Sequence, residues 1–159
     1  MKQIACAVSL IDKLSIRVGN ESDECHTVGC CTLQKKHLLL HANRKCTLKF
    51  LGKDSIPFNK TFTCEAMLYE ALKHFHKTKS DVLFDRIDSR DVNAFLNKYL
   101  HGITAKVFRT CNASRMMQSL LLKGTTFKEA NAQVATLCNH KSSVYGCMCS
   151  FCMSKYYSR

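Results

Sequence analysis

A chain of 159 residues with 46% hydrophobic content is long enough for one domain with a buried core, which excludes an intrinsically disordered chain. One Pro and six Gly exclude a Pro-rich or Gly-rich linker, and no apolar run is long enough for a membrane-spanning helix. A formal charge of +12 calls for a polyanionic partner, nucleic acid first and an anionic membrane surface second.

Residues 2–16 place Ile4, Ala7, Val8, Ile11 and Leu14 on one helical stripe. The start resembles a signal peptide in its apolar run. Asp12, Lys13 and Arg17 interrupt that run and no cleavage site follows, so the segment reads as an amphipathic helix. Gly19-Asn20 is its expected stop. Segments 27–33, 37–41 and 45–51 read as short strands of an antiparallel meander. Residues 52–55 form a turn, and 56–60 return as a further strand whose Pro57 suits an edge.

The period changes from Cys64. Met67, Leu68, Ala71, Leu72 and Phe75 predict a helix. Ser89 or Asp91 can cap another, running through Ala94, Phe95, Tyr99 and Leu100. Thr104 can cap a third, carrying Val107, Phe108 and Cys111, and residues 116–122 are helical again. Thr126 and Glu129 stand at capping-box spacing ahead of Ala132, Val134, Ala135 and Leu137. The order predicts an α+β fold, mostly helical with a small antiparallel sheet. Residues 1–141 are the expected core; 142–159, rich in Cys, Tyr and Ser and without acids, form a distinct tail. The 11 Cys are odd in number and several (Cys6, Cys64, Cys138) sit inside periodic segments. They read as small apolar core residues in a reducing nuclear or cytosolic setting.

Four positions set a cationic or hydrogen-bonding side chain in an apolar or tightly turned context: Arg17, Lys53, Arg109 and His140. Each has an ordinary reading of its own. Arg17 at a helix C-terminus would complement the helix dipole. Lys53 would be a solvated loop residue, and His140 a helix cap. Arg109, flanked by Val107 and Phe108 with Lys106 one turn before it, needs a partner or a groove. Together they suit attack on a phosphodiester. Two Arg and a His can donate to the non-bridging oxygens, and a Lys on a hairpin can protonate the leaving 5′ oxygen. Such a set needs no metal and no cofactor. Asp81, Asp85, Asp88 and Asp91 come closest to an acidic cluster, and their spacing suits loops and caps better than a two-metal site.

The strings LIDKLSIRVGNE, HTVGCCTLQ, KFLGKDSIPFNK, LFDRI, LNKYL, GITAKVFRTCNAS and QVATLCNH occur in this order over residues 3–141. In them the chain resembles the catalytic core of eukaryotic-type DNA topoisomerase IB, a core related to tyrosine recombinases. The resemblance implies that Arg17, Lys53, Arg109 and His140 are catalytic. It implies transesterification through a 3′-phosphotyrosyl link, relaxation of supercoiled duplex DNA without ATP or metal, and a nuclear location. Asn20, Lys53, Lys106, Arg109 and Asn139 are the expected DNA contacts.

Two departures stand out. The chain begins within the catalytic subdomain, where a cap lobe and much of a DNA clamp are expected to precede it. It also ends in CMSKYYSR, whereas the family's nucleophile lies four positions after the Ser of a Ser-Lys-x-x-Tyr motif. Here Ser158 holds that place, Tyr157 falls one residue early and Tyr156 two, and Tyr145 lacks a preceding Ser-Lys. Tyr157 is the candidate nucleophile. The alternatives are a DNA-binding fragment with no nucleophile of its own, or a second polypeptide supplying the Tyr or the cap lobe. Cys147, Cys149 and Cys152, with Cys138 or His140 as a fourth ligand, offer a competing zinc site.

Overall fold

The computed structural model describes residues 1–19 and 27–140. The first helix, α1, spans Lys2–Leu14 and buries Cys6, Ala7, Leu10, Ile11 and Leu14 along one stripe. It ends earlier than the periodicity predicts, because Ser15 turns into the left-handed region at φ 55°. Three antiparallel strands follow in the order β1 (Leu38–Leu40), β2 (Lys45–Leu51) and β3 (Pro57–Thr63). Alternation sends Cys46, Leu48 and Phe50 of β2 inward, opposite Phe62, Lys60 and Phe58 of β3. Phe50 and Phe58 stack at 4.8 Å beneath the β2–β3 turn. Pro57 lies on an edge strand, as its missing N–H requires.

The expected strand over 27–33 is not formed. Its backbone donors instead turn toward the chain leaving α1, with Cys30 N–H donating to Arg17 O and Cys31 N–H to Val18 O, both at 2.8 Å. Gly29 packs on the backbone of Gly19, where an added Cβ would lie 2.3 Å from the Gly19 Cα. A strand with outward side chains cannot make that approach.

Four more helices follow among the described residues: α2 (Ala66–His76), α3 (Ser89–Asn97), α4 (Lys106–Leu122) and α5 (Phe127–Leu137). α2 buries Leu72 and Phe75, while Met67 lies outside the stripe and is exposed. Asp88, rather than Ser89 or Asp91, caps α3: its carboxylate accepts from Arg90 N–H and Asp91 N–H, and the Asp88 N–H donates to the Asp91 carboxylate. That helix stops at Asn97 and leaves Tyr99 and Leu100 exposed beyond it. Residues 106–122 form one continuous helix instead of two, and Thr104 lies outside it, Ala105 being the cap position. The predicted Thr126–Glu129 capping box starts α5.

α1 packs against α2, α3 and α4, and the main core runs from α1 through the sheet to α2 and α3. Cys30, Cys31, Cys46 and Cys64 lie in that core as buried thiols, in the apolar role expected of them. Ala113, Met117, Ala130 and Val134 make a second, smaller core between α4 and α5. α4 therefore bridges the two, its first turns on the main core and its last on α5.

Candidate active site

The site forms where three chain segments meet at the N-terminal part of α4. The first leaves α1. Ser15 is buried and left-handed, and the two bonds from Cys30 and Cys31 fix the backbone on which Arg17 stands. Arg17 thus lies past the helix end, not on its last turn, and its side chain is exposed. The same 27–33 loop reaches the sheet through Val28 N–H, which donates to Leu51 O at 2.8 Å.

The second segment is the turn between β2 and β3. Gly52 N–H donates to Ile56 O at 2.9 Å and closes its neck, while Asp54 and Ser55 both take positive φ (59° and 56°). Lys53 projects from this tight loop and is exposed.

The third follows α5, which closes in a left-handed cap. Asn139 at φ 51° donates its N–H to Thr136 O (3.1 Å), and His140 N–H donates to Ala135 O (2.9 Å). Asn tolerates the left-handed region better than most residues, so the Asn139-His140 pair terminates α5 and aims His140 back across the site.

Arg109 joins the first and third segments from below. Its Nε donates to Ser15 O at 2.8 Å and its Nη2 to Cys138 O at 2.9 Å. The partner that its apolar flanks required is therefore a pair of backbone carbonyls. A guanidinium has five N–H donors in a rigid fork, enough to hold backbone and anion together. Above it, Arg17 Nη2 lies 3.2 Å from His140 Nε2. Arginine has no acceptor, so Nε2 accepts and the His140 proton sits on Nδ1 in this arrangement. Partial desolvation and the positive charges of Arg17 and Arg109 lower the His140 pKa below its ordinary value, as does Lys53; Asp54 opposes them. All three expected cations therefore act on the same imidazole. A cleft beside this group is lined by Arg17 and Lys53 together with Ser15, Gly52, Cys138 and Asn139.

The arrangement concentrates positive charge around a neutral imidazole at an open cleft, which suits a singly charged, tetrahedral oxyanion. Lys106 is exposed one turn before Arg109. The Asn139 amide nitrogen donates to Ile56 O at 3.2 Å. Asn20, Tyr145, Tyr156, Tyr157, Cys147, Cys149 and Cys152 lie outside the described residues. Among the described residues no group of three Cys, His or acidic side chains is placed to hold a metal ion. The acids behave as caps and loop residues: Asp85 accepts from Gln3 Nε2 at 2.7 Å, and Asp88 caps α3 with Asp91 as the third residue of its capping box.

Three supporting residues escaped the sequence reading. Asn112 donates through Nδ2 to Asp12 O (2.5 Å) and Ser15 Oγ (3.2 Å), and so fixes the end of α1 beside Arg109. Its position three residues after Arg109, on the same helix face, was the available signal. Ser15 and Cys138 act through backbone carbonyls, which no side-chain pattern reveals.

Comparison with known proteins identifies the family of the chain. Residues 1–158 match the family described as eukaryotic DNA topoisomerase I, catalytic core. The chain is 42% identical over 158 residues to DNA topoisomerase 1 alpha of Arabidopsis thaliana, covering 91% of this chain and 17% of that protein. It is 39% identical over 164 residues to a protein of Rattus norvegicus named DNA topoisomerase I, mitochondrial (90% and 28%), and 41% identical over 164 residues to DNA topoisomerase 1 of Drosophila melanogaster (91% and 17%). The chain thus spans between about a sixth and just over a quarter of these relatives' lengths. With the site residues inside the matched segment, the chain belongs to the eukaryotic DNA topoisomerase I family, in its catalytic core.

Proposed function

We propose that this chain binds duplex DNA and relaxes supercoils as a type IB topoisomerase, without ATP or metal. The observation that carries the reading is the Arg17–His140 contact at 3.2 Å above the Arg109 fork, with Lys53 on the adjoining turn. These residues are scattered from position 17 to position 140 in the sequence, and the reading is supported by the closeness of Arg17, Arg109 and Lys53 to the His140 imidazole. We assign residues 1–141 to the catalytic core, related in architecture to the tyrosine recombinases, and 142–159 to a divergent tail that carries the nucleophile.

In the proposed reaction the Tyr157 phenol oxygen attacks the scissile phosphorus and its proton passes to water. The bond from phosphorus to the 5′ oxygen breaks, and Lys53 Nζ delivers a proton to that oxygen. Arg17, Arg109 and His140 donate to the non-bridging oxygens as charge builds on them. One such donor is worth about 10²–10³ in rate and a general acid about 10²–10⁴. The product is a 3′-phosphotyrosyl link; after the free end swivels, the 5′ hydroxyl attacks phosphorus and expels the tyrosine. Most DNA contacts go to phosphates, through Asn20, Lys53, Lys106 and Arg109, and carry little sequence preference, while the amide of Asn139, expected among these contacts, is engaged by Ile56 O. The nucleus is the proposed location.

The test is incubation with supercoiled plasmid in chelator, quenched with detergent. A covalent protein–DNA adduct that disappears in Tyr157→Phe is expected; an adduct that persists in that variant rejects Tyr157. A second reading has its own support, since Ser158 stands four positions after Ser154, where a Ser-Lys-x-x-Tyr pattern would put its Tyr. In that reading the chain is a DNA-binding fragment whose nucleophile comes from a second polypeptide. Salt-sensitive DNA binding without an adduct, restored by an added Tyr-bearing chain, is its signature.

A further inference from the structure

Asn139 sits where two halves of the site touch. It follows α5, immediately before His140, yet its side chain leaves that segment and donates to Ile56 O at 3.2 Å. The same carbonyl accepts the Gly52 N–H at 2.9 Å. Both lone pairs of Ile56 O are thereby used, one to close the neck of the Lys53 turn and one to dock that neck on the chain leading into His140. The approach depends on Gly52. A Cβ there would lie 3.1 Å from Asn139 Nδ2, tighter than ordinary contact. The Asn139 backbone is itself held at φ 51° by the α5 cap, so the amide is presented from a fixed base.

Among the described residues, no comparable anchor holds the Lys53 side chain. It is exposed, and the turn around it carries two consecutive left-handed residues, Asp54 and Ser55. A proton donor must hold its nitrogen within hydrogen-bond reach of the leaving oxygen, so a turn that wanders lowers the rate without weakening DNA binding. We infer that Asn139 is a positioning residue: it clamps the Lys53 turn to the His140 segment, so that leaving-group protonation and phosphate binding stay in register. This inference rests on the reading of Lys53 as the proton donor given above.

Two variants remove the clamp while sparing the left-handed cap. Asn139→Gly keeps the backbone conformation and deletes the amide. Asn139→Asp keeps shape and left-handed tolerance but faces the Ile56 carbonyl with an acceptor in place of a donor. The decisive substrate is DNA whose bridging 5′ oxygen at the scissile bond is replaced by sulfur. The P–S bond then breaks to a thiolate, which leaves without a proton because thiols are far more acidic than alcohols. Both variants are expected to slow single-turnover cleavage of ordinary DNA by about tenfold or more, a part of the general-acid contribution. On the sulfur-bridged DNA they are expected to match the wild type within about twofold. Equal slowing on both substrates, or none on either, overturns the inference.

A second readout needs no cleavage and separates this inference from the proposed activity. In the full chain without DNA, Asn139→Gly is expected to speed amide hydrogen exchange at Gly52 and Ile56 by about tenfold, with α4 and α5 unchanged. Unchanged exchange at the neck overturns the clamp, whether or not the wild-type chain cleaves DNA. A wild type that cleaves neither substrate while the neck exchange behaves as expected rejects the activity and leaves the clamp standing.

Discussion

Replacing Arg109 tests how the site is built. Its guanidinium donates to Ser15 O at 2.8 Å and Cys138 O at 2.9 Å from a half-buried position. Hydrogen bonds to charged groups contribute about 1.5–3 kcal/mol each. Arg109→Lys keeps the charge and the helix propensity but offers one ammonium in place of a fork, so about one bond is lost, or about 1.5–3 kcal/mol. Arg109→Ala loses both bonds, about 3–6 kcal/mol. For a domain of this size each kcal/mol moves Tm by about 2–4 °C. Thermal melts at pH 7 are therefore expected to drop by about 3–12 °C for Arg109→Lys and by at least twice the Lys value for Arg109→Ala. Equal drops for the two, or an Arg109→Ala change below about 1 kcal/mol, would show that the fork does not tie α1 to α5.

Gly29→Ala places a Cβ 2.3 Å from the Gly19 Cα and 2.4 Å from its N, so backbone must shift; a loss of about 1–3 kcal/mol from overpacking is expected by urea unfolding, with weaker DNA binding as Arg17 moves. Depression of the His140 pKa means that the unfolded chain takes up the proton first. Its contribution to stability is then present above the ordinary imidazole range and lost as pH falls through about 6.5 toward the lowered native value. In Arg17→Ala that value rises and the acid-side loss is smaller, measurable as the pH dependence of Tm. Duplex binding is expected to weaken steeply with salt and to be insensitive to sequence, and a flat salt response in a filter-binding or anisotropy titration would remove the phosphate-contact account.

Much of the fold is legible in residue order because its signals are local. The α1 stripe, the Thr126–Glu129 box and the Gly52 turn each rest on residues a few positions apart. What escaped depends on distant partners. Segment 27–33 has strand-like residues, yet the close approach of Gly29 to Gly19 turns its donors toward residues 17 and 18. The α4 pattern broke at Asn112 because that face meets the end of α1 before the helix turns to meet α5, so no single stripe runs its length. For the site, the four cationic and imidazole positions were marked by their unusual surroundings. The carbonyls of Ser15 and Cys138, and the docking of Asn139 on the Lys53 turn, exist only once the three segments meet.

The convergence of Arg17, Lys53, Arg109 and His140 on one phosphate is tested most directly by imidazole NMR of the full chain titrated with a short duplex. His140 now accepts from Arg17 at 3.2 Å and its pKa is lowered by the cations around it. A bound phosphate adds negative charge and draws Arg17 onto itself, so both effects reverse. His140 is expected to show the largest shift of any imidazole and a rise in its pKa on binding, with both lost in Arg17→Ala. A duplex that binds while the His140 resonance and titration stay in place would contradict the phosphate site.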